Sequence, residues 1–458
     1  MPPLLAADAI LFEEAASGIL ELDGHSRLEI SGFAGTVFVR AGKKGELRYS
    51  AATRTARREA QPVGLWLRGG TIIFLPVAGH EADELILEVA LSEGVRLVID
   101  KKGGKVQVAS VLADVTVRAT DSAVDIRGVG EAVDLQLQGG SLNLANLNGR
   151  VSVNGTAVGI VTLDRVQGQV ELALSESAIT ATSLHSAILD LSESTLVLEG
   201  AGGSVSGNAI DSSVRLVGAR SGGSLQLENT PLILENTRGR FQVETDADVT
   251  FRSLEGALEL TGFGGSVTGD GHSGEVTVTN RDAHVSLRNI AGPLHLSGDG
   301  LKVELLSIAN TVTMELVGSE ISAEGVKGGL VIKNEYGDVS VKRVEGRTKI
   351  ENANGNVRAV ELTGSVEIRA AGPEVTVGWT TLGRDQDSHI ENTEGDLFVE
   401  LPANARATVE AEADSIETNL EELELGDDGR QARGQLGSAK TPALSLYASG
   451  RLVLGRAP

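Results

Sequence analysis

No cysteine occurs in the 458 residues. Disulfides, thiolate metal sites and a thiol nucleophile are excluded, and the redox compartment leaves no mark on the chain. Aromatic residues are scarce at 3%, with two tryptophans, Trp66 and Trp379. A compact globule of this size draws on more large rings, whereas a thin core of Val, Leu and Ile needs few. Basic residues number 40 against 63 acidic ones, for a net charge of −23 and a pI near 4.8. Nucleic acids and anionic membranes are held by clustered Lys and Arg, so neither is expected as a partner. A diffuse acidic surface keeps a protein soluble.

Long hydrophobic runs are missing too. No stretch approaches the roughly 20 apolar residues of a membrane helix, so no membrane insertion is expected. The opening MPPLLAADAILFEEAASG has no Lys or Arg before its apolar residues, and Asp8, Glu13 and Glu14 break it, unlike a secretory signal. The expectation is a soluble, cytoplasmic protein, with the cell surface as the alternative if it is exported or a signal has been trimmed. Catalytic signatures are absent: no P-loop, no HExxH, and no GxSxG with a plausible nucleophile elbow. The calcium-binding nonapeptide GGxGxDxUx does not occur, and GGSVTGDG at 264–271 only shares letters with it. His272, His284 and His295 are spaced at intervals that fit no repeat of the chain, and they read as scattered surface or corner residues. No metal, cofactor or catalytic residue is expected.

What the chain has is glycine and repetition. Glycine makes up 57 residues, about 12% against about 7% on average. Steps of nine from Val249 reach Val375, and fourteen of the fifteen positions are Val, Ile or Leu; Thr348 is the exception. A second apolar residue follows two positions later, as at Leu260, Val278, Leu287 and Ile332, the mark of a strand with one face inward. Glycine stands two residues before the repeat position in nine cases, including Gly256, Gly274, Gly292 and Gly346, where it lets stacked backbones approach at a corner. Five residues after it, apolar character returns mainly at every second repeat, at Leu254, Ile290, Ile308, Val326, Val344 and Leu362, with His272 in the same series. The unit is therefore a coil of two nine-residue halves, with two short strands and two corners. Segments that cannot close a core alone must stack on their neighbours.

The same step appears earlier at Val106, Val115, Val124, Val133, Leu142, Val151 and Ile160, slips by one to Val170, and resumes through Ile179, Ile188 and Val197. Further shifts follow between 205 and 245. The expected fold is all-β, a single-stranded parallel β-solenoid (β-helix) with about 18 residues per coil and β-rich terminal caps. Its expected parts are 1–104, an N-terminal β cap or wide first coils; 105–378, a β-solenoid of nine-residue half-coils; and 379–458, C-terminal coils and a β cap. About fifteen coils at the strand spacing of roughly 4.8 Å would make a rod about 70 Å long.

Two surface patterns stand out. Aliphatic-x-Asn-x-x-Gly-x-aliphatic recurs at Asn146, Asn236, Asn334, Asn352 and Asn392, and reads as turn chemistry at one corner. Asn334 and Asn352 are one coil apart and are placed to stack as an amide ladder. The outward residue after the repeat position, taken once per coil, gives Thr250, Thr268, Ser286, Glu304, Ser322, Ser340, Arg358 and Thr376. The six hydroxyl residues form a candidate contact face, although strand propensity and solubility alone favour Thr and Ser there.

These features resemble the bacterial putative-adhesin domain of unknown function, a β-solenoid family. The resemblance rests on repeated NxxGxV corners such as Asn334–Val339, an N-terminal β region over 19–100, LPANARATVEAEA at Leu401–Ala413, and the ending SGRLVL at Ser449–Leu454. It implies a β-solenoid whose members are often exported or anchored, and supplies no catalytic residues. The function expected is a non-catalytic, adhesin-like scaffold binding an unknown protein or glycan along its lateral faces. The alternatives are a self-assembling filament or homo-oligomer, and a polysaccharide-active β-helix enzyme.

Overall fold

The structure is a computed structural model that describes residues 10–12, 17–22, 24–53, 63–77, 85–383, 386–437 and 442–456. Residues 1–9 and 13–16, on which the reading of the opening segment mostly rests, lie outside the described residues, as do Arg384 and Asp385. All regular elements among the described residues are β-strands, and none is a helix. The chain divides into two compact units, 1–230 and 231–458, and each is a parallel β-solenoid.

In the coils of both units, strands pair in parallel with the strand one coil later. In the first, Val106 faces Val124 and Val124 faces Leu142 in one sheet, while Val115, Val133 and Val151 stack in the other. In the second, Val267, Val285 and Val303 are consecutive rungs of one sheet, and Val276, Leu294 and Val312 of the other. All fifteen repeat positions from Val249 to Val375 are buried, Thr348 included. Aliphatic residues on alternate positions of short strands therefore fill a narrow interior between two sheets.

One of the two sheets is kinked. In His284–Ile290, Val285 and Leu287 point inward, Asn289 adopts φ 54°, and Ile290 points inward again. The left-handed residue recurs once per coil, at Ser253, Gly271, Asn289, Ser307, Gly325, Arg343 and Glu361. This bend explains why a third core residue appears only at every second repeat: it belongs to the kinked strand alone. Five of the seven carry side chains, at a conformational cost of roughly 1–2 kcal/mol each, so stacking imposes the bend rather than local preference.

Register slips carry a penalty in the sequence pattern. Ile160 and Ile188, assigned to the core by nine-residue steps, are 67% and 40% exposed, and Val197 is only partly covered. The coil from Leu142 to its partner Val161 has one residue more than the regular repeat, and that from Val170 to Ala187 has one fewer. A one-residue change moves every following side chain to the opposite face. The buried residues are Val161, Ala187, Leu189, Leu196 and Leu198.

Each unit closes one end with antiparallel strands. The coil of Arg27–Ser31 and Gly35–Ala41 packs against Arg96–Lys102 and Lys105–Ala109 on one side, and against Thr71–Pro76 and Leu85–Leu91 on the other. Glu46–Thr53 and Val63–Arg68 then pair antiparallel to that last layer. In the second unit, Ala443–Ala448 and Arg451–Arg456 return between the preceding coil and Ala407–Glu412 with Ser415–Thr418. Gln431–Leu436 and Leu423–Leu425 close that end antiparallel. Antiparallel strands break the parallel hydrogen-bond pattern that an open solenoid edge would offer.

His272 alone departs from the reading of the three histidines as scattered surface or corner residues, since His284 and His295 are exposed. It occupies the kinked sheet's third core position, paired with Leu254 and Ile290, and is 1% exposed. Its ring meets Phe251 edge-on at 5.8 Å, and Phe251 fills the space that a side chain at Gly269 would need. Nε2 lies 3.3 Å from the Glu275 carbonyl, while the buried Nδ1 has no partner. Burial pushes its pKa below the ordinary value of 6.5.

Three outcomes follow from this core. Gly274 is confined by the adjacent coil, since a Cβ would stand 1.6 Å from the Gly256 carbonyl oxygen. Gly274→Ala should cost about 2 kcal/mol or more in a urea melt. The Thr348 hydroxyl is buried without a partner, so Thr348→Val should raise stability by about 1 kcal/mol in the same assay. As pH falls through 6.5, unfolded His272 takes up a proton before the folded residue does. Wild type should therefore lose stability relative to His272→Leu between pH 6.5 and the lower folded value, with a constant difference at more alkaline pH.

Candidate contact face

The register brings the predicted hydroxyl residues into one column. Thr250, Thr268, Ser286, Glu304, Ser322, Ser340, Arg358 and Thr376 are consecutive cross-strand partners on the outer side of the kinked sheet. Inward-facing residues on either side along each strand fix this orientation, because alternate residues point to opposite faces. Each step is one strand spacing, roughly 4.8 Å. Thr268, Ser322, Ser340 and Arg358 are exposed and the others partly covered.

The hydroxyls of Thr250, Thr268, Ser286, Ser322 and Ser340 make no side-chain hydrogen bond among the described residues, whereas Thr376 donates to Glu374 at 3.1 Å. Glu304 interrupts the column with a local ion pair. Lys302 Nζ lies 3.0 Å and His284 Nε2 3.5 Å from its carboxylate. The hydrogen bond from Lys302 holds the Glu304 carboxyl below the usual carboxylate range. His295 lies on the other sheet, 3.7 Å from Glu275. Among the described residues no group of three or more His, Asp or Glu side chains is arranged to hold a metal ion.

The five signature asparagines occupy two different corners. Asn146 and Asn236 are exposed and left-handed, at φ 55° and 50°, at the bend of the kinked sheet; Asn146 Oδ1 accepts a bond from Arg165 at 2.7 Å. Asn334, Asn352 and Asn392 are buried at the end of straight strands. There the Asn334 amide donates to Asn352 Oδ1 at 3.1 Å, so the expected ladder forms. It also donates to the Tyr336 carbonyl at 2.8 Å, and Asn392 donates to the Gly372 and Asp396 carbonyls at 3.0 and 2.9 Å. One short motif thus serves both a backbone bend and a buried amide, because the letters do not record which sheet precedes them.

Two features escaped the sequence reading. A hydroxyl ladder lines the inner corner of the first unit. The Ser194 hydroxyl accepts the Ser177 N–H at 3.1 Å and donates to the Ser192 carbonyl at 2.8 Å, and Ser212 and Thr230 repeat the arrangement. The return of a hydroxyl residue once per coil, at Ser177, Ser194, Ser212 and Thr230, carried that signal. Lys101 is 4% exposed and donates to the Phe33 carbonyl at 3.1 Å, with burial lowering its pKa to about 8. Alternation in RLVIDKK places it on the inward set with Leu97 and Ile99.

No curated protein matches the chain. A solved structure titled as a putative cell adhesion protein from Clostridium sporogenes ATCC 15579 aligns over 96% of this chain and 97% of that one, at 8% identity and a TM-score of 0.14. The NxxGxV corners at 334–339 and 352–357 and LPANARATVEAEA fall together in one matched span, while the N-terminal features at 19–100 lie outside it. That span, residues 243–446, matches the family model described as Toastrack DUF4097, a β-solenoid domain of unknown function.

Proposed function

We propose that the protein is a non-catalytic scaffold that binds a protein or glycan partner on its lateral sheet faces, with the hydroxyl column of the second unit as a contact. The carrying observation is the register itself. It sets unbonded hydroxyls of Thr250, Thr268, Ser286, Ser322 and Ser340 at a fixed spacing on a rigid support. Weak contacts repeated at fixed spacing add up through effective concentration. Between Val249–Leu254 and Glu374–Leu382 the connections span only one to four positions, which leaves little loop from which to build a catalytic cleft.

The column can be blocked without touching the core, because its residues point outward. Thr268→Arg combined with Ser322→Arg should leave the melting temperature unchanged. It should weaken partner binding about tenfold or more, the loss of roughly 1.4 kcal/mol. A photo-crosslinker at Ser322 in native-host lysate should give adducts that one at Thr277, on the opposite sheet, does not. Equal adduct patterns from the two positions would remove this face from consideration.

A further inference from the structure

A groove on the outer face of the first unit brings together an outward ring, oriented polar groups and two cations. It lies over the kinked sheet of the first coils, where Phe38, Gln107, Asp125 and Asn143 are successive cross-strand partners. Its volume is about 670 Å³. The short side chain of Ala109, between Arg40 and Arg127 in the next row, leaves the space open. Glu88, the partner of Phe38 on its other side, borders one end.

The first feature is the ring. Val37 and Val39 point into the core, so Phe38 is forced outward and remains partly exposed, as Phe398 and Phe263 also are, while Phe33, Phe74, Phe241 and Phe251 are buried. The second is a preset polar array. Asp125 accepts bonds from Arg127 Nε at 2.8 Å, Asn143 Nδ2 at 2.9 Å and Gln107 Nε2 at 3.5 Å. These bonds orient the Gln107 amide, which lines the groove, and leave its carbonyl oxygen and second N–H free for a ligand, while Asn143 lies one rung beyond the lining. The third is charge. Arg40 and Lys105 flank the ring, on either side of its row, and neither has an ion pair among the described residues, in a chain of net charge −23.

We propose that this groove binds an acidic glycan of the uronate type. A pyranose has an apolar C–H face bordered by hydroxyls, which fits a partly exposed ring beside an oriented amide. Its carboxylate fits the unpaired guanidinium of Arg40, a planar donor fork, with Lys105 as a second cation. The inference rests on the lateral-binding reading above but uses another unit and another set of residues.

The test is calorimetric titration of the full chain with oligogalacturonate, oligomannuronate, the methyl ester of the better binder, and an oligothymidylate of similar length. One uronate oligomer should bind saturably, and its ester at least tenfold more weakly. Phe38→Ala and Arg40→Gln should each weaken binding at least tenfold, and Phe38→Tyr should retain it. Thr268→Arg with Ser322→Arg should leave it unchanged. The proposal is overturned if neither uronate binds, if the ester binds equally, if the groove substitutions have no effect, or if the oligothymidylate binds more tightly. Loss through Thr268→Arg with Ser322→Arg alone would move the glycan site to the hydroxyl column, overturning the groove while leaving lateral binding intact.

Discussion

Each coil must meet the next in register, because in a parallel stack the backbone groups of one rung are satisfied only by its neighbours. The sheets answer this demand along their strands, with Val285 facing Val303 and Val276 facing Leu294. The corners after the kinked strands also answer it with backbone, as where the Ala309 N–H donates to the Ile290 carbonyl at 2.8 Å, but others do not. At those others side chains from the next coil take part: the Ser194 hydroxyl takes the Ser177 N–H, and the Ser319 hydroxyl takes that of Leu301. The Asn334 amide reaches back to the Ser319 carbonyl and on to Asn352. A buried polar group in this fold is tolerable when the neighbouring coil supplies its partner. Thr348 and Nδ1 of His272 are places where none does.

Stacking also dictates the outside. Once inward residues are locked into columns, outward ones are locked into columns too, so the surface is written at strand spacing rather than assembled from loops. The hydroxyl column of the second unit and the Phe38–Gln107–Asp125–Asn143 row of the first arise from this one rule. The charged residues obey it as well. Lys349, Glu351, Glu367 and Arg369 form a network across adjacent rungs, with contacts of 2.8 to 4.0 Å. Such exposed pairs add little stability.

The family match and the geometry address different questions. The match covers 243–446 and describes a β-solenoid domain without an assigned function. Geometry adds which residues are presented, at what spacing and with which groups already engaged. Function in a fold of this kind belongs to its surfaces, because the interior is spent on stacking.

The sequence by itself determined the coil. A nine-residue alternation of aliphatic residues with glycine at most corners is compatible with few other arrangements, and it placed fifteen core positions correctly from Val249 to Val375. It also aligned the outward hydroxyls, since a strict period carries every face along with it. The tertiary structure alone decided what depends on a partner in the next coil. Ile160 and Ile188 turn outward because one lengthened and one shortened coil are measured against their neighbours, not against a count from Val106. His272 is buried because Leu254 and Ile290 stand on either side of it, and Asn146 differs from Asn334 because one bends a kinked strand and the other ends a straight one. Periodicity is a property of the chain, whereas burial and hydrogen-bond satisfaction are properties of the stack.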